Sequence, residues 1–194
     1  MKSILICALL PLLAVAQQER HPQPQPARKS GLYLTSPAFE DGSIIPARYT
    51  GSSATLPISP ELRWTNVPDG TVSFALILDD QDNSLQKTTN MTLHWLIFNI
   101  PGTARGLSED VPHLDHLPDG SIQTTLTATK SIPARPGYKG MGAPAEGPYH
   151  HYVYWLFALD TKLPLDANAS RDEVYSALNG HILDKAVLVS RFHR

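Results

Sequence analysis

From Leu32 onward, short apolar runs alternate with clusters of proline, glycine, asparagine and aspartate, the rhythm of a protein built mainly of sheet. Residues 72–78, 93–100 and 152–159 are apolar at almost every position, not at every second one. A strand with that continuous pattern is covered on both faces, so these three are predicted to lie inside a packed two-sheet structure. Residues 62–64 and 187–192 give weaker strand signals. The chain's 17 prolines argue against long helices before residue 165. Beyond it the pattern changes. Ser170 is placed to cap a helix, Glu173 follows three residues on as in a capping box, Val174, Ala177 and Leu178 share a face, and Gly180 is a stop. One short helix is predicted there. There is no internal repeat and no second domain boundary.

The first residues follow a different logic. Met1 and Lys2 precede an apolar run from Ile4 to Ala16 that ends in Ala-Val-Ala, the layout of a secretory signal with cleavage expected after Ala16. The run is too short to span a bilayer, which takes about 20 apolar residues, and no later segment approaches that length. Residues 17–30 alternate proline with polar side chains and read as a flexible leader, leaving 31–194 as one domain in a secreted protein. The one cysteine, Cys7, lies inside the signal. The exported chain would then fold without disulfides, on its core alone. A secretory route also makes Asn90 and Asn168, each followed two residues on by Thr or Ser, candidate glycosylation sites.

A formal charge of −2 without a basic cluster excludes nucleic acid as the expected partner. Absent too are a Gly-x-Ser-x-Gly elbow, His-Glu-x-x-His, Cys-x-x-Cys, a P-loop and a dinucleotide fingerprint. The stretch beginning Asp80-Gln81-Asp82 starts like a calcium loop, but Leu85 stands where the turn glycine belongs and Met91 where the bidentate glutamate belongs. No metal or cofactor site is expected. What remains is polar residues at the ends of apolar strands. Asp79, Asp80 and Asp82 close one, His94 opens the next, and His150 and His151 open the third. If those strands are neighbours, carboxylates and imidazoles converge at one rim, where a carboxylate would hold a histidine as a cation able to bind an anion. On spacing alone the alternative, polar strand ends in water, stands beside that reading. His151 alternates with His150 and should face the other way.

The blocks Ser36-Pro37-Ala38-Phe39-Glu40-Asp41-Gly42, Ile45-Pro46-Ala47-Arg48-Tyr49-Thr50 and Ser59-Pro60-Glu61-Leu62-Arg63-Trp64 resemble the opening of the phosphatidylethanolamine-binding protein family, in particular its bacterial-type Raf-kinase-inhibitor-like branch. His94-Trp95, the Gly137–Pro144 segment, His150-His151-Tyr152 and Gly180-His181-Ile182-Leu183 follow in the family's order. The resemblance implies an antiparallel β-sandwich with one or two short C-terminal helices. It also implies a pocket for a small anionic ligand, bearing phosphate or carboxylate, in which Asp80 and Asp82 are the carboxylates, His94 and His150 the imidazoles and Tyr152 the phenol, with Gly142 and Pro144 in the loop at the mouth. The acidic loop departs from the family's Asp-Pro-Asp-Ala-Pro: both prolines are missing from Asp80-Gln81-Asp82-Asn83-Ser84, so its backbone is expected to differ.

Three functions are compatible with these features. The first is a binding module without chemistry. The second is an accessory protein or enzyme of a secondary-metabolite pathway, as the resemblance to fungal relatives in gene clusters for maleic-anhydride dimers implies, with His94 or His150 moving a proton. The third is an interaction protein that inhibits a protease. Elsewhere, Trp64, Trp95 and Trp155 are expected in the core, His113 and His116 in a solvated loop, and His181 capping carbonyls after the helix. The final Arg191-Phe192-His193-Arg194 is too short to read as a binding patch.

Overall fold

A computed structural model describes residues 31–53, 55–83, 91–126 and 134–194. The signal-like segment, the leader and Asn90 lie outside these residues. In chain order the elements are β1 (Tyr33–Thr35), β2 (Ser43–Ile44), a single 3-10 turn (Ala47–Tyr49), β3 (Leu62–Thr65), β4 (Ser73–Asp80), β5 (Thr92–Pro101), β6 (Gly106–Leu107), β7 (Ile122–Gln123), β8 (Thr125–Leu126), β9 (Arg135–Pro136), β10 (His150–Leu159), α1 (Arg171–Leu178) and β11 (Ile182–Phe192).

The three continuous apolar runs become β4, β5 and β10, which are adjacent in a six-stranded sheet of order β2-β11-β10-β4-β5-β7. All pairings in it are antiparallel except that of β2 with β11. A three-stranded sheet, β1-β3-β6, faces it, and β8 pairs with β9 separately. Leu34, Leu62 and Trp64 from the small sheet meet Phe74, Leu76, Leu78, Trp95, Ile97, Tyr154 and Leu156 from the large one in the main core. The opposite face of the large sheet has its own core, in which Ala75, Ile77, Leu96, Phe98 and Phe157 pack against Val174 and Leu178 of α1. That second layer is why β4 is apolar on both faces from Phe74 to Leu78: all eight residues of the strand are buried. The chain is thus mostly β, a sandwich with one helix among the described residues.

Element boundaries differ from the sequence pattern where exposure or pairing decides. Val72 is 46% exposed and precedes β4 instead of opening it. The last strand begins at Ile182, five residues before the predicted start, because it pairs along nearly the whole of β10. Trp64 and Trp95 are fully buried, while Trp155 is only half-buried, on the helix side beneath the Lys185 ammonium.

Helix α1 forms as its caps dictate. The Ser170 hydroxyl accepts from the Glu173 amide and the Glu173 carboxylate accepts from the Ser170 amide, a reciprocal arrangement worth about 1 kcal/mol. Burial of Val174 and Leu178 fixes the inward face. Gly180 follows with φ of 86°, a conformation that favours glycine, and turns the chain into β11. The His181 side chain does not cap helix carbonyls as expected. Its ring turns to Asp160, 2.8 Å away, and the bond to the Leu178 carbonyl comes from its backbone N–H.

Candidate functional site

Strand register assembles the site. Tyr152 of β10 lies directly opposite Asp80 of β4, on the face that carries the main core, and His150 lies two residues earlier on the same face. His94 reaches that face by another route. Leu78 pairs with Trp95 and Asp79 with Leu93, so β5 carries one extra residue at His94. This β-bulge breaks the strict alternation and re-aims the imidazole toward Asp80 and Tyr152. The His94 ring meets the Tyr152 ring edge-on at 5.1 Å, and the His150 ring stacks on Tyr152 at 6.4 Å.

The loop from Gly137 to Tyr149 closes over these side chains. Gly140 is required where it passes Pro57 and Thr50, since a Cβ there would lie 2.5 Å from the Pro57 Cβ and 2.9 Å from the Thr50 carbonyl carbon. Met141 then bridges to Thr50, with its carbonyl accepting from the Gly51 amide at 2.7 Å. Gly142, Ala143 and Pro144 follow. Together with Asp82, Asn83, His150 and Arg194 they line a cavity of about 280 Å³. Asp80, His94 and Tyr152 form the layer behind that lining and are almost wholly buried.

Each polar group there has a defined state. His150 Nδ1 lies 2.9 and 3.1 Å from the two Asp80 oxygens, so its N–H donates to the carboxylate and the ring is held by a group that is itself 1% exposed. His94 Nδ1 donates to the Lys139 carbonyl at 2.9 Å, while the Lys139 amide donates back to the His94 carbonyl at 2.8 Å. Burial lowers the His94 pKa to about 4, outweighing the Lys139 carbonyl and the Asp80 carboxylate, which both act to raise it. This corrects the expectation that a neighbouring carboxylate keeps His94 cationic. At neutral pH its Nε2 is an acceptor, and it faces Asp80 Oδ2 at 4.0 Å, too far for a hydrogen bond. The Tyr152 hydroxyl is buried near the Asp80 carboxylate and the Gly142 backbone, but with neither does it reach the distance and angle of a full hydrogen bond. Burial, and after it the Asp80 charge, push its pKa up, so it is present as a neutral donor.

The acidic residues do not all converge. Asp79 sits on the opposite face of β4, where its carboxylate binds Arg171 of α1 at 2.9 Å, and so is not part of the rim with Asp80. Period-two alternation separates neighbours on a strand in this way. Asp82 lines the cavity, but its Oδ2 is taken by the backbone N–H of His151 at 2.6 Å and faces the His151 ring at 3.1 Å. The turn that carries it is local: the Asp82 amide donates to Asp80 Oδ1 at 3.0 Å, an Asx turn formed without prolines. His113 and His116 do not act together. His113 bonds the Pro136 carbonyl, and His116 pairs with Asp166. Asn168 is exposed in the turn before α1. Sequence reasoning passed over Arg194. The β10–β11 register pairs His150 with Phe192, which brings the residue two positions further on to the mouth.

A family model described as phosphatidylethanolamine-binding protein matches residues 35–193, nearly all of the described chain. This chain belongs to the phosphatidylethanolamine-binding protein family. Within that family it is 40% identical over 161 residues to a UPF0098 protein of Methanothermobacter thermautotrophicus, an alignment covering 83% of this chain and 98% of the relative. It is 32% identical over 168 residues to the UPF0098 protein YbhB of Escherichia coli, covering 82% and 98%. The crystal structure of Escherichia coli YbcL, described as a new member of the mammalian phosphatidylethanolamine-binding protein family, superposes with a TM-score of 0.71 at 28% identity, covering 85% of this chain and 99% of that one.

Proposed function

We propose that this protein binds a small oxyanion, phosphate- or carboxylate-bearing, at the cavity beside His150, with Asp80, Asp82, His94, Gly142, Pro144 and Tyr152 as the remaining site residues. The observation that carries this reading is the Tyr152 hydroxyl. A buried donor without a well-formed hydrogen bond costs up to about 1–3 kcal/mol, and this one lies near Asp80 and near Gly142 of the cavity wall, with its ring stacked on that of His150. An anionic oxygen next to it would satisfy it. Around that oxygen the site offers complementary groups: the Nε2 side of His150, a donor when the ring carries two protons, and His94 Nε2 as acceptor for a hydroxyl of a protonated oxyanion.

Isothermal titration with inorganic phosphate and with succinate tests the reading in wild type and Tyr152→Phe. The substitution removes one oxygen and no packing, so the variant should keep the fold and bind the preferred anion about tenfold or more weakly, the worth of one hydrogen bond to a charged group. Equal affinity in the two proteins would mean that the hydroxyl is no part of the site.

A further inference from the structure

The outer edge of the large sheet runs along β11, and most of it is closed. Strand β10 gives the backbone groups of its odd-numbered residues to β4, so the even-numbered residues of β11 pair with β10. Lys185, Val187, Val189 and Arg191 therefore turn their N–H and C=O groups outward. Asp184 Oδ1 accepts from the Lys185 amide at 2.8 Å and Asp41 Oδ1 from the Val189 amide at 2.9 Å, while the Gly42 and Ile45 amides donate to the Val189 and Arg191 carbonyls at 2.8 and 3.1 Å. Val187 lies between these closures. Among the described residues nothing meets its outward amide or carbonyl, and its side chain is 40% exposed.

That open position borders a groove of about 510 Å³ between β11 and the chain from Tyr33 to Asp41. The two walls run in the same direction. At one end the Leu32 amide donates to Asp184 Oδ2 at 2.7 Å, and at the other Gly42 is bonded to Val189. Apolar surface, including the 61% exposed Tyr33, thus lies toward the Asp184 end, and Glu40 and Asp41 lie toward the Val189 end. No lysine, arginine or histidine lines the groove, and among the described residues neither of those two carboxylates has an ion-pair partner.

We propose that this groove is a docking site for an extended peptide carrying a basic residue two positions before an apolar one. A strand laid antiparallel on β11 meets Val187 with a single residue, which supplies both missing hydrogen bonds. The residues on either side of it share the face of Leu188 and turn their side chains into the groove. At the Val189 end that side chain meets Glu40 and Asp41, which a lysine or arginine complements; at the other end it packs against Tyr33 and Leu34. Antiparallel order puts the basic residue first. A second copy of this chain suits the edge less. Paired through Val187, two copies would bring Asp41 of each toward Asp184 of the other, with no cation of the groove between them.

The test is an NMR titration of isotope-labelled protein at low ionic strength with three peptides: acetyl-Ser-Lys-Thr-Leu-Ser-amide, the same peptide with glutamate for lysine, and the lysine peptide N-methylated at threonine. The lysine peptide should shift the Val187 amide and saturate. The glutamate peptide should bind about threefold or more weakly, and the N-methylated one should leave Val187 unmoved. Val187→Pro removes the outward N–H and no bond to β10, so it should abolish the response at Tyr33 and Glu40. Glu40→Lys leaves the backbone of β11 untouched and should reverse the preference between the lysine and glutamate peptides. Thermal melts check that both variants fold. Equal shifts from all three peptides, shifts away from Val187 and Tyr33, or no binding of the lysine peptide would overturn the proposal. So would a Val187 amide that moves with protein concentration in the absence of peptide, the sign of a second copy on this edge.

Discussion

Arg171→Ala is expected to cost the fold about 3–5 kcal/mol at neutral pH, the penalty for stranding a buried charge. The partner left behind is Asp79, whose side chain is wholly buried on the helix face of β4, 2.9 Å from the guanidinium. Burial raises the Asp79 pKa, with the Arg171 charge and its hydrogen bond opposing that rise, so taking the arginine away must raise it further. The sign of the pH dependence follows. A carboxyl with a folded pKa above its unfolded value binds its proton more tightly in the folded state, and stability falls as pH rises from the unfolded pKa through the folded one. In Arg171→Ala that window extends upward, so the deficit should be small in acid, where Asp79 is protonated, and largest above the raised pKa. Denaturant unfolding at several pH values measures it. Adding Asp79→Asn should recover most of the loss at neutral pH and flatten the profile. A loss of less than about 1 kcal/mol, or one indifferent to pH and to Asp79→Asn, would show that the pair contributes no more than a surface ion pair does.

His150→Ala is the second large effect, and it should appear in two measurements at once. The substitution removes the donor shared by both oxygens of Asp80, a carboxylate with 1% exposure, and leaves it the Asp82 amide on Oδ1. Breaking a hydrogen bond to a buried charged group costs about 1.5–3 kcal/mol, so the variant should unfold at lower denaturant. It should also lose anion binding by more than Tyr152→Phe does, because the imidazole at the cavity wall disappears and no longer stands between the Asp80 charge and the ligand. Asp80→Asn on the same background separates the two: it should restore much of the stability without restoring affinity. Restored affinity in the double variant would mean that His150 only screens Asp80 and does not meet the ligand.

The sheet was legible because it is buried on both sides. Continuous apolar runs marked β4, β5 and β10, and their polar ends marked the rim where Asp80, His94 and His150 meet. The helix was equally plain, since Ser170, Glu173 and Gly180 are local signals that need no tertiary context. The family was written in ordered blocks along the chain. Other features depend on what neighbours do. Alternation alone separates Asp79 from Asp80, but what Asp79 binds is decided by α1, about ninety residues away in sequence. The bulge at His94 depends on the register with β4, and the neutrality of its ring on the loop that buries it, where desolvation outweighs the attraction of the carboxylate. Arg194 joins the cavity only through the pairing of β10 with β11.

The two histidines at the rim therefore have different parts despite similar surroundings. His94, locked to the Lys139 carbonyl and uncharged, presents an acceptor. His150, donating to Asp80, turns its other nitrogen to the cavity wall. A site with one acceptor imidazole, one carboxylate-oriented imidazole and an unsatisfied phenol suits an oxyanion that carries a proton.

The most direct test of the oxyanion reading is a crystal of this protein soaked in phosphate and compared with one kept free of it. The reading predicts tetrahedral density in the cavity beside His150, with one oxygen within hydrogen-bond distance of the Tyr152 hydroxyl and another facing the Nε2 side of His150. Saturating phosphate with only solvent in that cavity, or phosphate bound elsewhere on the surface, would contradict it.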